Sequence, residues 1–147
     1  MAGVTLDTGA LIAIERGDAR VRTLLDAVRR RGASIVVPAP VVAQAWRGDR
    51  NARLGAFLDL AFIEAMSLEL AKLVGFLLAA SRTSDVVDAA VIVGACRRRD
   101  DILTGDPGDL RRLAGAARAA GLSRPGRVIS LNELPLRRAP DLRSGDE

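Results

Sequence analysis

The sequence lacks several of the side chains on which common enzyme mechanisms depend. It contains no histidine and no tyrosine, and Cys96 is its single cysteine. Without histidine, a Ser–His–Asp or Cys–His triad is excluded, and so are zinc sites built on histidine or on several cysteines. A disulfide within one chain is excluded as well. Carboxylates, hydroxyls and arginines are left for chemistry, and these groups suit an oxygen-ligated Mg²⁺ or Mn²⁺ site.

Aromatic residues and lysines are also scarce. Aromatic side chains make up 3% of the 147 residues, so the core must come from Val, Leu, Ile and Ala, which favours helices packed on a Val/Ile-rich sheet. Lys72 is the only lysine among 22 basic residues, and the net charge is +4. Because arginine binds phosphate through two parallel hydrogen bonds, a polyanionic partner is one interpretation of this composition. A GC-rich genome that encodes arginine in place of lysine is the other.

Neither a signal peptide nor a membrane span is expected. The amino terminus, MAGVTLDTG, has no basic region, and its apolar stretch is too short for a signal peptide. No uninterrupted apolar run reaches the length that a membrane span requires. We therefore expect a cytoplasmic protein with no membrane partner.

The apolar pattern predicts strands that alternate with helices. Predicted strands cover residues 3–6, 34–37, 62–65, 102–104 and 127–130, and predicted helices cover 8–15, 18–31, 40–47, 50–60, 67–80, 84–98 and 107–120. This alternation indicates an α/β domain in layers, with a mainly parallel sheet. No linker divides the chain, so we predict a single domain over residues 1–132 and a frayed tail over residues 133–147, which is rich in Pro, Arg and Asp.

Three aspartates stand where a ligand site is expected. Asp7 follows the first predicted strand directly, and Asp106 follows the strand at 102–104. In open parallel sheets the ligand crevice lies at the carboxyl ends of the strands, so these two acids are well placed to meet. Asp88 lies in an apolar helical run, VVDAAVIVGA, where an ionised carboxylate is costly unless it is paired or bound to a cation.

Each of these acids also has a purely structural interpretation. Asp7 and Asp106 can act as helix N-caps. Asp88 can form a salt bridge with one of the many arginines. Asp85 lies one turn before Asp88, and it can be the N-cap of that helix or an outer partner of the metal. Asp109 can be such a partner or a solvated acid in the first turn of its helix.

Hydroxyl, amide and arginine side chains accompany the acids. Thr8 and Thr104 are neighbours of Asp7 and Asp106 in sequence and can hold metal-bound water. Gln44 lies in the apolar run VVAQAW, so we expect its amide to be buried and hydrogen-bonded to an inward-facing polar site. The candidates for contacts with phosphate groups are Arg47, Arg50 and Arg53. A solvated helical face explains Arg50 and Arg53 equally well.

Four segments together resemble the motifs of the PIN-domain nucleases, and in particular those of the VapC toxins of bacterial toxin–antitoxin pairs. The segments are LDTGALIAI, VVAQAWR, SDVVDAAVIVGA and ILTGDPGDL, in the family's order and spacing over about residues 3–131. The resemblance implies a three-layer α/β/α domain with an acidic pocket that binds Mg²⁺ or Mn²⁺. It implies that Asp7, Asp88 and Asp106 are the metal ligands. The family's remaining acid, usually a glutamate, falls on Gln44, which removes one negative charge from the pocket.

The same resemblance implies an activity and partners. The activity is metal-dependent endoribonuclease cleavage, in which the metal lowers the pKa of a bound water and stabilises charge on the scissile phosphate. RNA would then be recognised by shape and single-strand fit. The expected partners are an RNA substrate, a second copy of the chain in a homodimer, and a cognate antitoxin that inserts a segment into the acidic pocket.

Two other interpretations remain open at this point. A haloacid-dehalogenase-like phosphatase would also use an aspartate at the end of the first strand, and GDPGD loosely resembles one of its motifs. That family requires a second acid where Gly9 stands and a lysine, and Lys72 lies in an ordinary apolar helix. The second alternative is a degenerate PIN domain that binds RNA or a partner without cleaving it, which Gln44 supports. Mn²⁺-dependent cleavage of RNA distinguishes these alternatives.

Overall fold

Short apolar strands alternate with helices along the whole of the described chain. The computed structural model describes residues 2–135. Its strands are β1 Val4–Leu6, β2 Ile35–Pro38, β3 Phe62–Glu64, β4 Asp101–Thr104 and β5 Val128–Ser130. Its helices are α1 Thr8–Glu15, α2 Ala19–Arg30, α3 Ala39–Ala45, α4 Ala52–Leu58, α5 Leu68–Ser81, α6 Val86–Arg98 and α7 Pro107–Ala116, followed by a 3₁₀ turn at Leu131–Glu133. The predicted alternation is confirmed, with element ends shifted by a few residues.

The five strands form one parallel sheet in the order β3-β2-β1-β4-β5. The three inner strands, β2, β1 and β4, are buried at all but one residue, as expected of a sheet covered on both faces. After β1 the chain adds β2 and β3 on one side of β1, and it then crosses back to add β4 and β5 on the other side. The strand order therefore reverses between β1 and β4, and sheets of this type bind ligands at that reversal.

Helices cover both faces of the sheet. Helices α1 to α4 pack against one another, and α5 to α7 form a second group. Right-handed crossovers place these two groups on opposite faces. The three-layer α/β/α architecture is thereby confirmed.

Helix α6 forms the centre of the core. Its residues 89–96 are buried without interruption, because the helix packs against β1, β2 and β4 and lies between α5 and α7. Cys96, on this helix, is 1% exposed, and burial raises the pKa of its thiol to about 11. Cys96 therefore packs in the core as a small hydrophobic residue.

Two helices end in an unusual residue. Arg82 follows α5 with a φ of 55°, and Arg99 follows α6 with a φ of 57°. This left-handed conformation is the usual place of glycine at a helix end, and a side chain with a Cβ makes it costly by about 1 kcal/mol. Both arginines are exposed.

The carboxyl end of α7 and the residues after β5 differ from the prediction. Helix α7 ends at Ala116, before the predicted residue 120, because the chain passes into turns that close at Gly121 with a φ of 78°. Of the predicted tail, Glu133 belongs to the 3₁₀ turn and Leu134 is 9% exposed. Residues 136–147 lie outside the described part of the chain.

The helices are of moderate length. The longest of those described is α5, with 14 residues, and it carries Glu69 and Lys72 on its surface. Within residues 2–135, no helix has both the length and the apolar character needed to cross a membrane.

Candidate metal centre

Asp7 is held at the carboxyl end of β1 by hydrogen bonds to both of its carboxylate oxygens. Its Oδ1 accepts from the backbone N–H of Ala10 at 2.9 Å, and its Oδ2 accepts from the Thr104 hydroxyl. The side chain is buried, and this burial raises its pKa, while hydrogen bonds led by the one from Thr104 partly offset the rise. Asp7 is therefore the predicted N-cap of α1 and also a buried acid at the point where the strand order reverses.

Two glycines allow the loops after β1 and β4 to approach each other. A Cβ at Gly9 would lie 3.0 Å from the backbone nitrogen and Cα of Gly105. The backbone N–H groups of both glycines also act to lower the pKa of Asp7. The sequence reasoning did not assign them a role. The signal was present in the matching stretches Asp-Thr-Gly after β1 and Thr-Gly-Asp after β4.

Thr104 connects Asp7 to Asp106. Its side chain is fully buried, it donates to Asp7, and it accepts from the backbone N–H of Asp106 at 2.8 Å. Its hydroxyl is thus committed to two protein groups, whereas the sequence predicted a role in holding water. Asp106 precedes α7, but its carboxylate makes no cap hydrogen bond to that helix, and the side chain is exposed. The Asp106 carboxylate is therefore available to a ligand.

Asp88 lies in the first turn of α6 and faces other acids. Its pKa is raised from 3.8 to about 6, chiefly by burial and further by the charges of Asp85, Asp7 and Asp109. The influence of Asp7 means that the two carboxylates lie within electrostatic range of each other. Among the described residues, Asp88 belongs to none of the salt bridges, so an arginine does not balance its charge there.

Two further acids border the site. Asp85 accepts from the backbone N–H of Asp88 at 3.0 Å and is the N-cap of α6, which confirms the capping interpretation. Asp109, in the first turn of α7, accepts from Arg112 at 2.6 Å. Even so, its charge contributes to the raised pKa of Asp88. Side chains from β1, α6 and α7 therefore produce one negative region at the carboxyl edge of the sheet.

Gln44 lies beside this region, but it is not buried as the sequence predicted. Helix α3 buries only one side, through Val41 and Ala45, and the side chain of Gln44 is exposed. Its Oε1 accepts a hydrogen bond from the hydroxyl of Thr8, the residue that follows Asp7. The structure thus brings Gln44 to the first turn of α1, adjacent in sequence to Asp7. It also gives the Thr8 hydroxyl a protein partner.

The acids are not gathered around one point. Within residues 2–135, no group of three or more acidic or cysteine side chains is positioned to hold a metal ion as it stands. Carboxylates that repel one another are expected to remain apart until a cation neutralises them. The donor set fits a hard divalent cation, because it consists of carboxylate oxygens only. Burial raises the pKa of Asp7 and of Asp88, so positive charge beside these carboxylates would stabilise their ionised forms.

The three arginines that the sequence proposed for phosphate contacts are exposed, and two of them donate to backbone carbonyls. Arg53 donates to the carbonyl of Glu15 at 3.4 Å and lies over Gly17, where a Cβ would meet its guanidinium. Arg47 donates to the carbonyl of Trp46 at 2.7 Å.

A solved structure shares this fold. One chain of a structure described as FitAB bound to an IR36 DNA fragment matches over 92% of this chain and 99% of its own length, with a TM-score of 0.62 and 17% sequence identity. This likeness shows a shared fold, and the α/β/α fold that the four motifs predict is confirmed. No family model matches the chain, and no curated protein matches it.

Proposed function

We propose that this protein is a metal-dependent endoribonuclease that acts as the toxin of a toxin–antitoxin pair. The observation that carries the proposal is the position of Asp7 and Asp88. Both acids have a pKa raised by burial, and they lie within electrostatic range at the point where the strand order reverses. Burial makes the ionised form of a carboxylate unfavourable. Buried acids of this kind are typical of a site that binds a cation.

The carboxylates of Asp7, Asp88 and Asp106 would hold Mg²⁺ or Mn²⁺. When bound, such an ion lowers the pKa of water and stabilises negative charge on the scissile phosphate. The chain's own side chains supply the positioning. Thr104 fixes the carboxylate of Asp7 and the backbone at Asp106, and Asp85 fixes the first turn of α6 on which Asp88 stands.

Groups around the acids would contact the substrate. Gln44, exposed and held by Thr8, lies where an amide can meet an RNA phosphate or a metal-bound water. Arg47, Arg50 and Arg53 remain our candidates for phosphate contacts along α3 and α4, with Asp109 as an outer partner of the site. Single-stranded RNA is the proposed substrate, as the resemblance of the four motifs implies, with recognition by shape and strand fit.

The proposed partners follow from the same site. An antitoxin that places a cationic side chain among the acids would neutralise them and block access to the crevice. The fold is shared with one chain of a structure of FitAB bound to a DNA fragment. We further propose that the chain forms a homodimer and acts in the cytoplasm.

Cleavage of RNA by the purified protein tests the proposal. Wild type should cleave single-stranded RNA with Mn²⁺ or Mg²⁺ and should not cleave it in EDTA. Asp7→Asn and Asp88→Asn should each lose activity by about 100-fold or more, because a metal ligand is lost. Asp59→Asn is the control, since Asp59 is exposed at the end of α4, and it should retain wild-type activity. Full activity in either site variant would refute the assignment.

A degenerate domain that binds RNA without cleaving it is the second candidate, and Gln44 favours it. With an amide in place of an acid, binding without metal-dependent cleavage is its distinguishing result. The phosphatase alternative loses support, because position 9 has no room for the acid it needs beside Gly105, and Lys72 is exposed on α5.

A further inference from the structure

Exposed arginines are concentrated at the edge of the sheet opposite the acidic site. Because all five strands are parallel, the segments that lead into them lie along one edge. The segments before β2, β4 and β5 carry seven exposed arginines, which we call the basic edge: Arg30, Arg31, Arg97, Arg99, Arg118, Arg124 and Arg127. None of these seven is among the α3–α4 arginines that the sequence analysis favoured.

Backbone contacts join these segments into one surface. The N–H of Val4 donates to the carbonyl of Ser34 at 2.9 Å, which places the segment before β2 beside β1. The N–H of Gly3 donates to the Asp100 carboxylate at 3.1 Å, and the N–H of Gly126 donates to the Asp100 carbonyl at 2.7 Å. The segments before β2, β4 and β5 therefore meet around the start of β1.

The two acids within these segments are already engaged. Asp100 is 3% exposed and accepts from Arg98 and from the Thr5 hydroxyl as well as from the backbone. Asp101 accepts from the backbone N–H of Arg127 at 2.7 Å. Neither carboxylate forms a salt bridge with the seven exposed arginines. Among the described residues, Arg97 pairs with Glu69 at 3.6 Å and the other six form no salt bridge, so the surface keeps most of its positive charge.

A cavity lies within the basic edge. A cavity of about 300 Å³ opens between the end of α7 and the start of β5, with Arg118 and Arg124 in its walls. Its other walls are small or apolar residues such as Gly115, Pro125 and Val128, and no acid lines it. A phosphodiester group would fit there, because two guanidinium groups can surround it with bidentate hydrogen bonds.

Favourable interactions with helix dipoles do not explain all seven arginines of the basic edge. Arginines near the ends of α2 and α6 favour the negative end of the helix dipole, which explains Arg30 and Arg97. Arg124 and Arg127 lie in the loop before β5, beyond Gly121, where no helix ends.

We propose that the basic edge binds the phosphate backbone of a nucleic acid. This binding requires neither the metal nor cleavage, so it is independent of the proposed nuclease activity.

Salt-dependent binding of a fluorescein-labelled single-stranded RNA, measured by anisotropy in EDTA, tests the proposal. The test variant is the triple substitution Arg118→Gln, Arg124→Gln and Arg127→Gln. The matched control is Arg16→Gln, Arg22→Gln and Arg82→Gln, which removes three charges from exposed positions outside the basic edge. A plot of log affinity against log salt concentration has a negative slope. Loss of three phosphate contacts should make this slope shallower by about 2 and reduce the affinity for RNA by at least about tenfold.

A lysine variant, a DNA probe and an acidic competitor complete the experiment. The same three positions changed to lysine should keep most of the salt slope, which shows that charge at this surface is what matters. A labelled DNA of the same sequence should bind comparably if the backbone alone is read, and more weakly if the RNA 2′-hydroxyl is read. Equal losses in the test and control triples, or no loss in either, would overturn the proposal. Displacement of RNA by polyglutamate at equal charge would assign the surface to an acidic protein instead.

Discussion

Replacing Asp88 with asparagine tests whether the acidic site carries unfavourable charge in the metal-free protein. The pKa of Asp88 rises from 3.8 to about 6, with burial as the largest cause and the charges of Asp85, Asp7 and Asp109 as further causes. A rise of that size corresponds to about 3 kcal/mol against the ionised form. Because the side chain is only partly buried, solvent screening lowers the expected effect to about 1 kcal/mol.

The pH dependence of stability follows from the direction of this shift. Since the folded protein holds the Asp88 proton more tightly than the unfolded chain, ionisation of this group destabilises the fold above about pH 6. The penalty is relieved as the pH falls from about 6 toward 4. Asp88→Asn has no such charge, so its free energy of unfolding should exceed that of wild type by about 1 kcal/mol near pH 7.5 and match it near pH 4.

Urea denaturation in EDTA at both pH values measures this difference. Asp59→Asn is the control, because Asp59 is exposed at the end of α4, and its stability should stay within about 0.5 kcal/mol of wild type. If Asp88→Asn is less stable than wild type near pH 7.5, then Asp88 is balanced by a partner and the reasoning about the site fails.

Three other substitutions test separate parts of the structure. Glu15→Ala removes the acceptor that caps the Leu54 N–H at 2.8 Å, and should cost about 1 kcal/mol in urea denaturation; an unchanged midpoint would contradict this. Arg99→Gly relieves the left-handed conformation and should add about 1 kcal/mol, so a lower melting temperature would count against it. Gln44→Glu places a charge beside Thr8 and should raise Mn²⁺ affinity in calorimetry. Unchanged binding with lowered stability would show that Gln44 is remote from the metal.

The elements could be predicted from sequence because their signals are local. Ser67 accepts from the Leu70 N–H, and Asp85 accepts from the Asp88 N–H, each within one helical turn. The parallel sheet followed from the alternation of apolar strands and helices. Asp7 and Asp106 could be placed at one edge because each follows a strand that this alternation makes central.

Contacts between distant segments could not be predicted. Arg98 donates to Thr5, which is 93 residues away, and forms a salt bridge with Glu64, which is 34 residues away. Glu15 caps α4 from 39 residues away, in place of a side chain at the helix start. No periodicity or spacing contains such pairings, because they arise only when the crossovers bring the segments together.

The exposure of a polar residue within an apolar run also could not be predicted from its sequence neighbours. Gln44 lies among apolar neighbours, yet α3 is a short helix that buries only one side, and the amide reaches the surface beside Thr8. The basic edge was missed for a related reason. Arg99 and Arg127 are 28 positions apart in sequence and become neighbours only through the pairing of β4 with β5.

Calorimetric titration of Mn²⁺ into the purified protein tests the central claim most directly, because it measures the metal site without RNA. The account predicts saturable binding by wild type and by Asp59→Asn, and a loss of about tenfold or more in affinity for Asp7→Asn and for Asp88→Asn. Equal affinity in all four proteins, or no binding by wild type, would contradict the assignment of these aspartates as metal ligands.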